Sequence, residues 1–441
     1  MASDTPARGG TLFAYYGQLA LRSFRRNKVL TALMVLTIAL GIGTSMTTLT
    51  VMHVLSGDPI PQKSAQLFRV RMQTFPDSSF HEGDKVPDNL SRRDAEALLR
   101  DARADRQAAM SAGSVVVMSA QGDPLNVEAR YTGADFFPMF DVPLRYGHAW
   151  SRDDDASRAR VAVISRELNE QLFGGRDSVG QTLQVGSQSL RIVGVLGDWD
   201  MNPRFYDLSN GQFGDSEDVF MPLSTAEDMK LGNSGSMSCA GSAPDAFAAD
   251  APCIWLQYWA ELDTPAKHAA YRQYLDNYIA LQQQAGRFHH AGQVDLSDVM
   301  QWLDAKGVVP SDVRLQMWLA LGFLGICLLN TVGLLLAKFL RRSSELGVRR
   351  ALGASRRAIF LQCLVEAGVV GLAGGVVGLA LAAIGMVLVR HQPTDYAAFI
   401  HMDLRMLLAT FALALASSLL AGLLPAWRAM NVAPAAAIKS N

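Results

Sequence analysis

The chain has 441 residues, enough for two or three soluble domains. Charged residues make up only 18% of it, against roughly 25% in typical globular proteins. The formal net charge of −1 excludes a nucleic-acid binder that depends on bulk positive charge. The apolar residues are concentrated in four blocks, so the composition indicates a membrane protein.

Four runs are long and apolar enough to cross a bilayer, which takes about 20 residues. They cover residues 29–52, 315–337, 358–389 and 406–427, and only the third contains a charged residue, Glu366. The first run is longer than the core of a signal peptide and lacks a small-residue cleavage pattern, so it is interpreted as an uncleaved anchor. The predicted fold is an α-helical membrane protein with four transmembrane helices in a 1+3 arrangement. A large mixed α+β extracytoplasmic domain, residues 53–314, would lie between helices 1 and 2.

Lys and Arg residues suggest how the four helices are oriented. They are frequent in the amphipathic segment 1–28 and in the loop 338–357, and absent from residues 391–404. Because basic loops stay in the cytoplasm, both termini and loop 338–357 are predicted inside, and the short loop 390–405 and the large domain outside. The tail 428–441 would then be cytoplasmic. We expect a multi-pass protein of the inner (plasma) membrane with a periplasmic domain.

The predicted elements of the external domain alternate between helices and short strands. A capping-box pattern at Ser91 opens a helix, and residues 160–164 form a buried strand. A helix over residues 166–173 ends at two glycines, and a hairpin follows over residues 182–196. A longer helix over residues 264–284 would place four side chains on one face: Tyr271, Leu275, Tyr278 and Leu281.

No catalytic constellation is visible in the sequence. Asp153, Asp154 and Asp155 lack the alternating ligands of a calcium loop and are predicted to form a solvated turn. His289 and His290 have no second ligand pair at metal spacing. The sequence contains no phosphate-binding G-x-x-x-x-G-K-[ST] motif, so we expect no catalytic, cofactor or metal residues in this chain and any ATP and Mg²⁺ on a partner.

Cys239 and Cys253 lie in the external segment, where a disulfide between them would close a short loop in an oxidising compartment. Two unpaired thiols are the alternative. Within the third span, Glu366 is either a proton-transfer or coupling group, or a residue bonded to a neighbouring helix. Two overlapping pairs of small residues permit close helix packing, within the chain or between two copies: Gly371 with Gly375 and Gly374 with Gly378.

The most specific pattern lies in the cytoplasmic loop. Ser343 or Ser344 is predicted to cap a short helix there, and Gly353 to end it. The eleven residues that carry the pattern read Glu345-Leu346-Gly347-Val348-Arg349-Arg350-Ala351-Leu352-Gly353-Ala354-Ser355. They resemble the E-[IL]-G-[IV]-R-[RK]-A-[LI]-G-A-[ST] pattern of the MacB/FtsX family of ABC transporter permeases. Residues 21–28, 131–141, 161–194 and 424–438 also resemble segments of that family.

The resemblance implies that residues 345–355 form a coupling helix that contacts a separate ABC ATPase subunit. In such permeases the membrane helices relay motion to the periplasmic domain and do not enclose a substrate path. Implied partners are a second copy or a related permease, membrane lipids, and a periplasmic adaptor with an outer-membrane channel. No nucleic acid is expected as a partner.

The MacB-like core implies export of a peptide, antibiotic or siderophore in a tripartite efflux assembly. Lipoprotein release or regulation of cell-wall hydrolases is the alternative within the family. A membrane-anchored periplasmic sensor or enzyme is the alternative of another class, but it would not need the pattern from Glu345 to Ser355.

Overall fold

The computed structural model describes residues 28–119, 122–199, 201–392, 396–399 and 404–431. The chain divides into two compact units, an external domain of residues 57–308 and a helical unit built from the residues on either side of it. The predicted segment 1–28 and the tail 428–441 lie largely outside the described residues, and the loop 390–405 lies partly outside them.

Four helices of the helical unit are long and apolar enough to cross a membrane. They are named spans 1 to 4 and cover Lys28–Ser56, Ser311–Arg341, Arg356–Arg390 and Leu404–Met430. Each exceeds its predicted apolar run by one to four residues at either end. A helix keeps its backbone hydrogen bonds beyond the hydrocarbon region, so charged residues that end an apolar run do not end the helix.

Span 3 packs along both span 1 and span 4, and span 2 packs along span 1. The centre of this bundle is apolar and includes Ile38, Ile42, Val370 and Ala414. Large apolar side chains also cover the outside, such as Trp318 and Leu329, which are 67% and 73% exposed. An apolar exterior of this kind is what a lipid environment requires.

The described residues of the external domain form twelve strands. In chain order they are β1 (Leu67–Met72), β2 (Leu90–Ser91), β3 (Arg106–Met118), β4 (Pro124–Thr132), β5 (Leu144–Gly147), β6 (Val161–Ile164), β7 (Thr182–Val185), β8 (Gln188–Leu196), β9 (Val219–Pro222), β10 (Ser238–Cys239), β11 (Cys253–Glu261) and β12 (Val294–Asp298). The main path runs β12-β1-β11-β3-β4-β9-β6-β8-β5. Pairs β4–β9 and β6–β8 are parallel, and the other pairs along the path are antiparallel.

Seven helices accompany these strands: α1 (Arg92–Asp101), α2 (Phe136–Met139), α3 (Arg152–Ala156), α4 (Arg166–Phe173), α5 (Leu223–Asp228), α6 (Pro265–Gln284) and α7 (Val299–Ala305). Short 3₁₀ turns lie at Asp77–Ser79, Leu208–Asn210 and Ala397–Phe399. One apolar core of the domain lies around Trp255, Tyr258 and Leu275, and another lies around Val117, Ile164 and Val195. The predicted fold class, four membrane helices with a large α/β domain after the first, is confirmed.

Local predictions in the external domain agree with the structure in most cases. Ser91 caps α1, α4 ends at Gly174, and β7 and β8 form the predicted hairpin. Of the four side chains predicted to share one face of α6, Tyr271, Leu275 and Tyr278 are buried, whereas Leu281 is 60% exposed. Leu281 lies on one flank of the buried stripe, and the domain covers the opposite flank, where Ile279 is buried.

Candidate coupling site

A short helix over Ser343–Ala351, named the coupling helix, lies between spans 2 and 3. Its end forms a Schellman motif, because the amide of Ala354 donates to the Arg349 carbonyl and the amide of Gly353 donates to the Arg350 carbonyl. Gly353 has φ +99°, a left-handed conformation that side chains with a Cβ disfavour. The backbone conformation at the end of the helix therefore explains why the pattern has a glycine at position 353.

The start of the coupling helix differs from the prediction. Arg342 occupies the cap position without a capping side chain, and Ser343 and Ser344 are already helical, so neither serine caps this helix. Ser355 is a cap instead: its hydroxyl accepts from the Ala358 amide at 3.2 Å and starts span 3. The last residue of the predicted coupling pattern therefore belongs to the next helix.

The coupling helix has one buried and one exposed face. Leu346 and Gly347 are buried. The opposite stripe is exposed and carries two large apolar side chains, Val348 at 52% and Leu352 at 82% exposure. The other exposed positions on it are Ser344 and Ala351. An exposed apolar stripe on a short helix is typical of a surface that packs against another protein.

Four charged side chains form a cluster beneath this helix, named here the inner ion cluster: Lys338, Arg342, Glu345 and Glu366. Lys338 Nζ lies 2.7 Å from Glu366 Oε1, and Arg342 Nη1 lies 3.0 Å from Glu366 Oε2. Arg342 Nε also lies 3.3 Å from Glu345 Oε2 on the coupling helix. The acid of span 3 is therefore bonded to span 2 and, through Arg342, connected to the coupling helix.

A second polar contact ties the coupling helix to span 3, where Arg349 Nη1 donates to Gln362 Oε1 at 3.0 Å. Sequence reasoning had singled out Glu366 and Arg349 but missed Lys338, Arg342 and Gln362 as their partners. A signal was present, since Gln362 and Glu366 are four residues apart and share one face of span 3. The coupling helix is therefore bonded both to Arg342 at the end of span 2 and to Gln362 of span 3.

The four glycines of span 3 pack against different neighbours. A Cβ on Gly371 would lie 2.0 Å from Ser418 Oγ of span 4, and one on Gly375 would lie 2.8 Å from Ala414 Cβ. A Cβ on Gly374 would lie 2.6 Å from Ile38 Cγ2 of span 1, and one on Gly378 would lie 3.1 Å from Ile42 Cγ2. Both pairs therefore serve contacts within the chain, one on each side of span 3.

The acidic run in the external domain is not the solvated turn that was predicted. Residues Arg152–Ala156 form a helix with a capping box between Ser151 and Asp154. Asp155 accepts from Trp150 Nε1 at 2.8 Å and from the Ala134 amide at 2.7 Å. Burial raises the pKa of Asp155 to about 6. The contacts of the Asp155 carboxylate therefore attach this segment to the rest of the external domain.

The rings of His289 and His290 make separate contacts and do not form a shared site. The carboxylate of Asp77 accepts from the backbone amides of both and lies 2.8 Å from His289 Nδ1, which lowers the pKa of Asp77 to about 2. The ring of His290 stacks on Phe80 and Phe288. In the described ranges no three His, Cys, Asp or Glu residues are grouped so that they could hold a metal ion.

The structure joins Cys239 and Cys253 by a disulfide. The two residues are also direct partners in the β10–β11 pair. The loop that the bond closes, residues 240–252, lies beside Arg92 of α1, whose Nη1 donates to the Phe247 carbonyl at 2.9 Å.

Family models match most of the chain. The MacB-like periplasmic core domain matches residues 31–277, and the FtsX-like permease C-terminal domain matches residues 317–434. The chain belongs to the MacB/FtsX-type permeases of ABC transporters. It is thus a membrane protein with a periplasmic domain, and the resemblance seen in the coupling loop extends over both units.

Relatives of this permease include larger proteins with an ATP-binding part in their names. The pyoverdine export ATP-binding/permease protein PvdT of Pseudomonas entomophila is 24% identical over 70% of this chain and 43% of the relative. The macrolide export ATP-binding/permease protein MacB of Bdellovibrio bacteriovorus is 23% identical over 52% of this chain and 31% of the relative. The chain thus spans less than half the length of these proteins.

Among solved structures, the periplasmic region of MacB from Actinobacillus actinomycetemcomitans is similar over 54% of this chain and 92% of that chain, with 13% identity and a TM-score of 0.36. The extracellular domain of the transporter YknZ from Gram-positive bacteria is similar over 52% of this chain and 99% of the solved domain, with 13% identity and a TM-score of 0.35.

Proposed function

We propose that this permease receives ATP-driven motion from a separate ABC ATPase subunit at the coupling helix and transmits it to the periplasmic domain. The observation that carries the proposal is the dual nature of the coupling helix. One face bears the exposed side chains Val348 and Leu352, and the other is bonded through Arg342 and Arg349 to spans 2 and 3. A helix bonded in this way moves with its spans when a partner displaces it.

The orientation follows from the same proposal. The coupling helix lies on the cytoplasmic side, where ATP is available, and the charge bias places both termini there as well. Two permeases, identical or related, would pair with two ATPase subunits. ATP and Mg²⁺ would bind to those subunits and not to this chain.

We further propose export of a periplasmic substrate, with a periplasmic adaptor and an outer-membrane channel as additional partners. The export functions in the names of relatives with a MacB-like domain support this choice over lipoprotein release or hydrolase regulation. A peptide, an antibiotic or a siderophore fits that class of function.

The first test isolates the ABC ATPase that co-purifies with the tagged wild-type chain from its native membrane. Leu352→Asp places a charge on the exposed apolar stripe and is expected to reduce recovery of the ATPase at least tenfold. Leu281→Asp is the matched control, because Leu281 is also exposed but belongs to the external domain. Absence of any ATPase with the wild-type chain, or equal recovery with Leu352→Asp, would refute the proposal.

The second test separates binding from coupling. Glu345→Lys reverses the charge that faces Arg342 but leaves the exposed stripe intact. We expect ATPase recovery and ATP hydrolysis close to wild type with loss of export. Unchanged export in this variant would show that Glu345 does not transmit motion.

A further inference from the structure

Span 2 carries a regular stripe of exposed residues on a different side of the helix from its contacts with span 1. The contact side includes the buried residues Leu324, Cys327 and Thr331, and a Cβ on Gly41 of span 1 would lie 3.0 Å from Cys327 Cβ. The exposed stripe, named here the span 2 seam, alternates strictly between spacings of four and three residues. Its members, all exposed, are Leu319, Phe323, Ile326, Asn330, Gly333, Ala337 and Leu340. Within the described residues, the chain therefore leaves this stripe uncovered.

The spacing of the span 2 seam is that of a heptad repeat. Phe323, Asn330 and Ala337 take the a positions, and the other four members take the d positions. A repeat of 3.5 residues keeps one stripe of a helix against a second helix as the two wind around each other. Fluid lipid chains impose no such register on a helix surface. The seam is therefore typical of a helix that pairs with another helix.

Packing within the described chain does not explain the small residues of the seam. If a Cβ is added at Gly333, no described residue outside the local turn of its own helix lies within 4 Å of it. The four glycines of span 3 differ, because an added Cβ at each would meet span 1 or span 4 at 3.1 Å or less. Gly333 and Ala337 lie one turn apart, and small residues at this spacing allow two helices to approach closely. The open space beside Gly333 is thus available to a helix of another chain.

Asn330 is the polar member of the seam and lies in the hydrocarbon region. It is seven residues from Ala337, the inner end of the apolar run, or about 10 Å along the helix. In the described structure its amide forms no hydrogen bond, whereas the hydroxyls of Thr37, Thr331 and Thr410 each donate to a carbonyl of their own helix. Water is absent at this depth, so an amide that faces lipid loses its hydrogen bonds. The position of Asn330 therefore indicates a polar partner on another molecule.

The chemistry of the carboxamide selects that partner. Two copies in one membrane have the same orientation, so their spans 2 run parallel, and around a two-fold axis each seam residue meets its own counterpart. A carboxamide contains both a donor and an acceptor, so the NH2 group of one Asn330 can donate to the amide oxygen of the other. A single Asn at an a position also fixes the register and the number of paired helices. An identical copy thus completes this seam without any other polar group.

We propose that two copies of this chain pair through span 2 in the membrane, with their seams in contact and their Asn330 amides hydrogen-bonded to each other. The inference rests on the proposed function in one respect, the pairing of two permeases. It selects an identical copy over a related permease and names the surface and the residue that recognise it. The coupling helix and its ATPase are not needed for this pairing.

Cysteine cross-linking tests the surface. The full chain, with Cys327→Ala and Cys363→Ala to remove its free thiols, is reconstituted into liposomes without the ATPase. Leu319→Cys and Ile326→Cys lie on the seam. Trp318→Cys is the matched control, because Trp318 is 67% and Leu319 64% exposed but Trp318 lies outside the seam. Oxidation with copper phenanthroline should form the linked dimer about fivefold faster at the seam positions, since d residues of paired helices lie within disulfide reach.

Asn330→Leu tests the amide. Donor-labelled and acceptor-labelled chains in liposomes transfer energy when they pair, and dilution with lipid gives the dissociation constant. Asn330→Leu should raise that constant about tenfold, the scale of hydrogen bonds between membrane helices. Asn330→Gln keeps an amide at this position and should stay close to wild type. In detergent that keeps the chain monomeric, neither variant should lower Tm, because Asn330 is exposed in the single chain.

Three results would each overturn the proposal. They are equal cross-linking at Trp318→Cys and at the seam positions, an unchanged dissociation constant in Asn330→Leu, and no energy transfer between identical chains at any lipid dilution. Leu352→Asp keeps this proposal apart from the coupling proposal. It changes only the exposed stripe of the coupling helix, so it should pair like the wild type while ATPase recovery falls.

Discussion

Two buried ion clusters, one in each unit, differ in what their members connect. The outer ion cluster consists of Arg130, Asp207, Glu217 and Gln257. Arg130 is fully buried; it pairs with Asp207 at 2.6 Å and donates to Glu217 at 3.2 Å and to Gln257 at 3.0 Å. The inner ion cluster contains two cations and two carboxylates, and its member Glu345 is 37% exposed on the coupling helix.

The two clusters differ in the burial of their members and in the elements that they join. Each member of the outer ion cluster is nine-tenths buried or more, and together they link β4, β11 and the chain segment before β9. Burial alone would raise the pKa of Asp207, yet Arg130, Asn210 and Gln257 keep it below its ordinary value. Such a cluster fixes one arrangement of its domain. The inner ion cluster instead joins three helices, one of which has a surface free for contact within the described structure.

The largest expected effect is the loss of Arg130. Arg130→Met leaves the buried Asp207 without its paired cation and Glu217 with only the more distant Arg204, which should lower the free energy of unfolding of the external domain by about 3–5 kcal/mol. Denaturant titration of the full chain in detergent, followed by tryptophan fluorescence, measures the change. Arg145→Met at an exposed arginine is the control and should stay within about 0.5 kcal/mol. A loss below about 1 kcal/mol for Arg130→Met would show that the outer ion cluster does not stabilise the external domain.

The next effect is expected in the inner ion cluster. Glu366→Gln removes the carboxylate that lies 2.7 Å from the fully buried Lys338 and should destabilise the helical unit by about 3 kcal/mol. Adding Lys338→Met removes the opposing cation and should restore much of the thermal stability without restoring export. Full export in the double variant would show that this cluster is structural and carries no motion.

Asp155 provides an intermediate case, a buried carboxylate that accepts from two neutral donors. Its folded pKa of about 6 exceeds the ordinary value, so the native state binds the proton more tightly than the unfolded state. This group therefore stabilises the fold as pH falls through 6 toward 4, by about 2 kcal/mol, and the gain is absent at neutral pH. Unfolding titrations at pH 4.5 and 7.5 should show that gain in the wild type relative to Asp155→Asn. Equal pH dependence of stability in the wild type and Asp155→Asn would contradict the raised pKa of Asp155 in the folded state.

The smallest effect concerns helix packing around span 3. Gly371→Ala would bring a methyl group against Ser418, and we expect a loss of about 1–2 kcal/mol. Gly325→Ala in span 2 is the matched control, since no described residue outside the local turn of its own helix lies within 4 Å of the added Cβ. Thermal unfolding in detergent compares the two. A control as harmful as Gly371→Ala would indicate that span 2 packs against a partner chain.

Local patterns predicted much of the secondary structure. The turn at Gly353, the cap at Ser91 and the hairpin of β7 and β8 each depend on a few adjacent residues. Exposure of Leu281 and the helix at Arg152–Ala156 were missed because both depend on which distant segment covers them. The candidate coupling stretch was located by its pattern, but the residues bonded to it were not.

The sequence by itself determined the membrane class, the four spans and the family, because apolar run length and a dense motif are properties of contiguous residues. Tertiary structure alone decided that Glu366 pairs with Lys338 and Arg342, and that Arg130 is the centre of a buried cluster. These groups are 24 to 127 residues apart in the chain. Their meeting depends on how the helices and strands pack, and no periodicity along the chain encodes it.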